Sequence, residues 1–294
     1  MDKEYPTVLF AISLSSKRKC MSFDALFSVA GKVAVVTGGN GILGGAMAKA
    51  LALRGAKVGI LGRNQEKNER MVADIRAMGG EAMALSADVL SQPELESARQ
   101  QVLDAWGTVD ILINGAGGNI PGAAIPPGEN FFDHHPFPNY QRTVALNLDG
   151  TVLPSQVFGQ VMAHKKSGSI INISSMTASQ AVTRVPGYSN GKAAVDSFTR
   201  WLAVEVALKF GAGIRVNAIA PGFFVTDQNR MLLTTPEGGY TERGASVIRK
   251  TPMGRFGEPE ELIGACIWLC SDASRFVTGT IIPVDGGFSA WSGV

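Results

Sequence analysis

Residues 33–52 read VAVVTGGNGILGGAMAKALA: a short apolar run ending in threonine, a glycine-rich turn, then a stretch of good helix formers. Gly39, Gly41 and Gly44 have the spacing G-x-G-x-x-G between a strand and a helix. At such a turn the first N–H groups of the helix lack partners, and with no side chains in the way they can approach a pyrophosphate. The spacing alone is a weak signal. With a strand before it and a helix after it, the turn reads as a dinucleotide site built from Gly38, Gly39, Asn40, Gly41, Ile42, Leu43 and Gly44.

Outward from this turn, short β-branched runs alternate with helical patterns. Strands are expected at 33–37, 57–61, 82–87, 111–113, 169–173, 215–219 and 280–284, and helices at 43–54, 66–78, 92–106, about 140–164, 187–210 and 258–270. Strict alternation of this kind predicts an α/β protein: a single doubly wound Rossmann domain, with a seven-stranded parallel sheet covered by helices on both faces. Two irregular segments, 115–139 and 221–255, begin just past the C-terminal ends of strands. Open α/β sheets bind ligands there, so both segments read as binding elements.

Of the 294 residues 45% are hydrophobic, enough for one large core. Lys and Arg number 27 against 25 Asp and Glu, without a dense basic block, which argues against a nucleic-acid partner. Apolar stretches such as 8–14 fall far short of the ~20 residues that span a bilayer, so no membrane partner is expected. The 3 cysteines make no disulfide framework and suit a reducing, cytoplasmic setting. Cys266 and Cys270 share a helix face with no further ligand at metal spacing; they read as core, and no metal is expected. Residues 1–20 combine mixed charge, a short apolar stretch and no cleavage site. They read as an extension that the domain, 21–294, does not need for folding.

The second strand runs into VGILGRNQEK, residues 58–67. A carboxylate at its end would bond the ribose hydroxyls, but Gly62 stands there, followed by Arg63 and Asn64. An arginine accommodates a 2′-phosphate, so NADP(H) is favoured over NAD(H). Asp88 and Val89, after the third strand, are expected to flank the adenine. Farther on, Tyr188 and Lys192 form Y-x-x-x-K, with Ser175 upstream. On a helix this spacing puts both side chains on one face, about 5–6 Å apart at Cβ. The ammonium should favour phenolate and lower the phenol's reference pKa of ~10, making Tyr188 a usable proton donor and acceptor in a hydride transfer.

Taken together, TGGNGILG, Asp88, the NGAG of 114–117, the NLDG at Asn147, the NISS ending at Ser175, YSNGK, and Pro221 with Gly222 resemble the short-chain dehydrogenase/reductase family over nearly the whole chain from Gly31. The resemblance implies a catalytic tetrad of Asn147, Ser175, Tyr188 and Lys192. Tyr188 would exchange a proton with the substrate oxygen, Ser175 would hold that oxygen, Lys192 would bind the nicotinamide ribose, and Asn147 would position a water linking Lys192 to solvent. It further implies cofactor contacts from Asn114, Gly115, Ala116, Pro221, Gly222 and Thr226, the last matching a threonine that binds the nicotinamide carboxamide. The turn follows T-G-x-x-G-x-x-G, not the commoner T-G-x-x-x-G-x-G. Members are commonly tetramers built through helix pairs, so a homotetramer is expected.

Within the family, the stretches 217–233, 251–262 and 284–294, the insertion beginning NGAGGN and the approach TRVPGYSNGK are similar to the D-mannonate oxidoreductases, which interconvert D-fructuronate and D-mannonate. A polyhydroxy acid needs a cation for its carboxylate and amides or hydroxyls for its other oxygens. Besides Ser175 and Tyr188, Arg184, Gln228, Asn229 and Arg230 are candidates for this small-molecule substrate, with Asn119, His134 and His135 as further candidates for its hydroxyls. For any one of these the bland reading is a surface loop residue, and His134 and His135 read first as solvated. The rival readings are a gluconate or 2-deoxygluconate reductase, a 3-ketoacyl carrier-protein reductase, which should carry a basic docking patch, and a dinucleotide-binding protein without catalysis. The last normally has lost a proton-transfer residue, and none is lost here.

Overall fold

The computed structural model describes residues 23–133, 137–226 and 229–293. One helical turn, α1 (Phe23–Leu26), leads into β1 (Val33–Thr37), α2 (Ile42–Leu53), β2 (Lys57–Gly62), α3 (Gln65–Ala77), β3 (Glu81–Ser86), α4 (Gln92–Trp106) and β4 (Ile111–Asn114). The second half runs α5 (Phe137–Lys165), β5 (Gly168–Ile173), α6 (Pro186–Phe210), β6 (Ile214–Pro221), α7 (Arg230–Leu233), α8 (Glu242–Lys250), α9 (Ile263–Cys270) and β7 (Ile281–Val284). Every strand pair is parallel, in the order β3-β2-β1-β4-β5-β6-β7. The seven-stranded doubly wound sheet expected from the sequence is therefore present. Growth of the sheet reverses between β1 and β4, which opens a crevice beyond their C-terminal ends.

The strands read as near-continuous apolar runs because both faces are covered. In β1, Ala34 and Val36 face a core filled by Met47 and Leu51 of α2, Ile75 of α3 and Leu269 of α9. Val33 and Val35 face the opposite core, with Leu95 of α4, Phe158 and Met162 of α5 and Val206 of α6. Each such large side chain contributes about 1.5–3 kcal/mol on burial. Cys266 and Cys270 are buried in the first core with their Sγ atoms 4.0 Å apart. Among the described residues no helix is long and apolar enough to cross a membrane.

Strand bounds fall within a residue or two of expectation. The helix expected over 258–270 instead opens with a 3-10 turn, Pro259–Leu262, because Glu258 and Glu261 form a capping box around Pro259. Two helices inside the segment 221–255 were not expected. In α8 the Thr241 side chain accepts from the Gly244 N–H, and Val247 supplies the buried face. Gly244 breaks the helical pattern in the sequence, yet a Cβ there would lie 2.0 Å from the Leu233 carbonyl oxygen, so α7 and α8 can meet only at glycine. Residues 1–20, His134, His135 and Gln228 lie outside the described residues.

Candidate active site

The glycine turn sits at the reversal point of the sheet. Gly38 has φ +66 and donates its N–H to Leu61 O at 2.8 Å. A Cβ on it would meet Ala116 N and Gly115 O at 2.9 Å, so the backbones after β1 and β4 cross there. The Thr37 hydroxyl ties them further, accepting from the N–H groups of Gly115 and Ala116 at 3.1 Å each. Helix α2 starts after Gly41 with no side-chain cap and no acidic residue in its first turn. Its free N–H groups and positive end thus face a crevice without side chains, which fits a dinucleotide pyrophosphate.

At the end of β2, the Asn40 amide donates to Asn68 Oδ1 at 2.6 Å, and Asn68 donates to the carbonyls of Gly62 (2.8 Å) and Leu85 (3.0 Å). A Cβ on Gly62 would lie 2.6 Å from the Asn40 amide nitrogen, so this network closes the place where a ribose-binding carboxylate was sought. The Arg63 side chain is 74% exposed, with a nitrogen 3.8 Å from the Asp88 carboxylate. Two expected cofactor contacts are engaged elsewhere: Asn64 caps α3 by accepting from the Lys67 N–H at 2.9 Å, and Val89 is buried in the second core.

Three elements bring the proposed proton-transfer residues together. Ser175 follows β5 and accepts weakly from the Thr177 N–H at 3.2 Å. Tyr188 lies in the first turn of α6, and Lys192 follows one turn later with its Nζ 5.7 Å from the Tyr188 ring centroid. Lys192 donates to Ile173 O at 2.6 Å. Burial lowers its pKa to about 8, with the Asp196 carboxylate opposing the shift. Asn147 of α5 clasps Gly118, accepting from its N–H at 3.0 Å and donating to its carbonyl at 2.8 Å. A Cβ on Gly117 would lie 2.7 Å from Asn147 Oδ1 and 3.2 Å from Lys192 Nζ, so both groups converge on the same bare backbone.

One expectation is reversed. Burial raises the Tyr188 pKa above its ordinary 10.0, and the Ser175 hydroxyl beside it offsets this only in part. Taking a phenolate out of water costs more than one hydroxyl returns, while the Lys192 ammonium is directed at the Ile173 carbonyl.

Below the site, Asn114 donates to Ser155 of α5 and to Asn172 of β5, and Asn172 donates to Thr199 of α6, each at 2.8 Å. The Asn114 amide nitrogen therefore braces the elements that carry the site, while its Oδ1 is buried without a hydrogen-bond partner among the described residues. Asp196, which sequence reasoning missed, is buried one turn beyond Lys192 and accepts from the Ser174 hydroxyl at 2.5 Å. A lone acid on the apolar stretch AAVDSF, four residues after the lysine, was the available signal.

On the substrate side, Arg184 has φ +78 and donates through Nε to Ile125 O at 2.7 Å. Asn229 is corrected from substrate contact to turn former: its Oδ1 accepts from Thr226 N at 2.7 Å and its Nδ2 donates to Phe224 O at 2.8 Å. Thr226, half-buried, is held by that turn, while Arg230 opens α7 as an exposed side chain. Asn119 Oδ1 is buried without a hydrogen-bond partner among the described residues.

A family model described as enoyl-(acyl carrier protein) reductase matches residues 38–289. An uncharacterized oxidoreductase of Bacillus subtilis, UxuB, is 48% identical over 276 residues, spanning 91% of this chain and 98% of the relative. Among solved structures, a Haemophilus influenzae protein described as a "putative D-mannonate oxidoreductase", with bound NAD, has a TM-score of 0.85 at 41% identity, covering 93% of this chain and 100% of that one. A gluconate 5-dehydrogenase of Burkholderia cenocepacia, in complex with NADP and tartrate, has a TM-score of 0.79 at 30% identity, covering 91% and 99%.

Proposed function

The chain belongs to the short-chain dehydrogenase/reductase family, and on that premise we propose that it interconverts D-fructuronate and D-mannonate, with Asn147, Ser175, Tyr188 and Lys192 as its catalytic residues. As a member of that family it is an oxidoreductase that acts on alcohol groups with a nicotinamide cofactor. The observation that carries the finer reading is the joining of two features: the Ser175–Tyr188–Lys192 set at the glycine-turn crevice, and an arginine, Arg184, held four residues before Tyr188. The likeness to proteins named for mannonate and gluconate supports a sugar acid. A ketogluconate is the second reading, favoured by the Burkholderia enzyme. A panel of keto sugar acids, neutral ketoses and ketoacyl thioesters, assayed with NADPH and NADH, tests the choice. Fructuronate should give the highest kcat/KM, and a higher value with a thioester or a neutral ketose would overturn the sugar-acid reading.

When bound, the nicotinamide cofactor supplies or accepts the hydride. The backbone of the glycine turn and the uncapped end of α2 would hold its pyrophosphate, with Gly115, Ala116, Pro221, Gly222 and Thr226 at the neighbouring strand ends. Ser175 holds the keto oxygen. Tyr188, whose pKa burial raises above the ordinary 10.0, gives that oxygen its proton as the ketone becomes an alcohol. The Lys192 ammonium would hold the nicotinamide ribose, and Asn147 fixes the loop against which that ammonium rests.

Lys192 carries its charge below about pH 8 and loses it above. Ketone reduction should therefore fall on the alkaline side from about that pH. Asp196 favours the ammonium, so Asp196→Asn should move this limb to lower pH. The pH dependence of kcat checks this, and an unmoved limb would deny Asp196 the role.

For the cofactor we favour NADP(H), supported by the closed position at Gly62 and the exposed Arg63 beside it; one solved relative holds NAD and another NADP. Arg63→Ala should raise KM for NADPH much more than KM for NADH. A wild-type preference for NADH, or a ratio that the substitution leaves unchanged, would reject the assignment. A homotetramer is supported by Trp201, Val204 and Leu208, exposed by 60%, 59% and 78% along one face of α6.

A further inference from the structure

We propose that Arg243 joins Arg184 in forming the subsite for the substrate's carboxylate, a proposal that rests on the sugar-acid reading above. Three loops at the C-terminal edge of the sheet converge on Thr183 and Arg184. From the segment after β4, Ile125 exchanges two backbone-directed bonds with Arg184: Ile125 N donates to Arg184 O at 2.9 Å, and Arg184 Nε donates to Ile125 O at 2.7 Å. From the segment after β6, Arg243 in the first turn of α8 reaches the Thr183 hydroxyl at 3.4 Å and the Thr183 carbonyl at 3.3 Å. Two guanidinium groups thus meet at one short stretch, immediately before the helix that carries Tyr188.

Neither cation has a carboxylate within ion-pair distance among the described residues, whereas Arg63, Arg70 and Arg255 all do. Both are half-buried, and after its bond to Ile125 neither terminal nitrogen of Arg184 has a hydrogen-bond acceptor among the described residues. Burial and the neighbouring Arg184 charge push the Arg243 pKa down, so the pair is unfavourable as it stands and an anion would relieve it. The planar fork of Arg184, with both terminal nitrogens free, matches the two oxygens of a carboxylate, and the Arg243 guanidinium, resting on Thr183 beside it, adds a second positive charge.

The backbone adds an independent sign. Arg184 is held at φ +78, and the only other non-glycine residue with positive φ among the described residues is Lys166, in the turn before β5. Strain of this kind persists where surroundings over-determine a conformation, as at ligand clamps. Arg230, the alternative expected from the sequence, is exposed on α7.

The test compares fructuronate with the neutral ketose fructose, in wild type and in Arg243→Gln and Arg184→Gln. Removing one charge-assisted contact should lower kcat/KM for fructuronate roughly 10–150-fold and leave the neutral ketose within about threefold of wild type. Inhibition by tartrate should weaken in parallel. If Arg243→Gln does not fold, Arg243→Lys, which keeps the charge but loses the fork, should lose roughly tenfold on the acid alone. Equal losses on acid and neutral ketose, or losses on neither, would overturn the subsite while leaving a wild-type preference for the acid intact. A wild type that prefers the neutral ketose would instead overturn the sugar-acid reading and the subsite with it.

Discussion

Tyr188→Phe should lower kcat for ketone reduction by on the order of 10²-fold or more, the loss expected when a positioned general acid is removed. The substitution keeps the ring that packs 5.7 Å from the Lys192 ammonium and deletes only the hydroxyl. Ser175 remains to hold the keto oxygen, but a serine hydroxyl is a far weaker acid than a phenol. The glycine turn is untouched, so cofactor affinity should stay near the wild-type value. Steady-state kcat and a titration of reduced cofactor by fluorescence separate the two effects. Near-normal turnover would remove Tyr188 from the chemistry, and lost cofactor binding would mean that the substitution had damaged the crevice.

Gly44→Ala should cost both stability and cofactor affinity. A Cβ there would lie 2.3 Å from Gly38 O and 2.9 Å from Gly38 C. Both are backbone atoms, so no flexible side chain can yield, and the turn itself must open. Overpacking of this kind costs about 1–3 kcal/mol, sometimes more; at about 2–4 °C per kcal/mol for a domain of this size, Tm should fall by several degrees. Because the same backbone would cradle the pyrophosphate, Kd for the reduced cofactor should rise at least about tenfold, an effect of ~1.4 kcal/mol. Gly264→Ala in α9 is the control: nothing lies within 4 Å of its added methyl, so Tm should hold or rise. Thermal unfolding and cofactor titration check both variants, and a Gly44→Ala protein indistinguishable from wild type would contradict the tight turn.

The sheet was legible in the sequence because its strands are buried on both faces. Runs such as VAVV, with Val33 and Val35 in one core and Ala34 and Val36 in the other, leave few alternatives to a parallel interior strand. The turn was legible because its glycines are required by backbone contacts, which only glycine allows. Short polar residues were less readable. Asn64 caps a helix, Asn114 cross-braces β4 to α5, and Asn229 forms a turn; the same amide that suits a ligand also suits an unpaired backbone group. Charge was read from neighbours in sequence, whereas burial is a property of the fold. This is why the direction of the Tyr188 shift was missed, and why Asp196 was overlooked. Arg243 was invisible for a further reason: it lies far from Arg184 in the chain, on a helix hidden by Gly244, and only the folded loops bring the two together.

The central claim is that hydride passes from a reduced nicotinamide to the keto carbon of a sugar acid. Incubating the purified protein with fructuronate and NADPH carrying two deuterons at the nicotinamide C4, then analysing the product by mass spectrometry, tests it directly. The account predicts mannonate with one deuteron on the carbon that was the ketone, formed in proportion to the cofactor oxidised. Unlabelled product, or no product while another class of ketone in the same assay takes up the label, would contradict it.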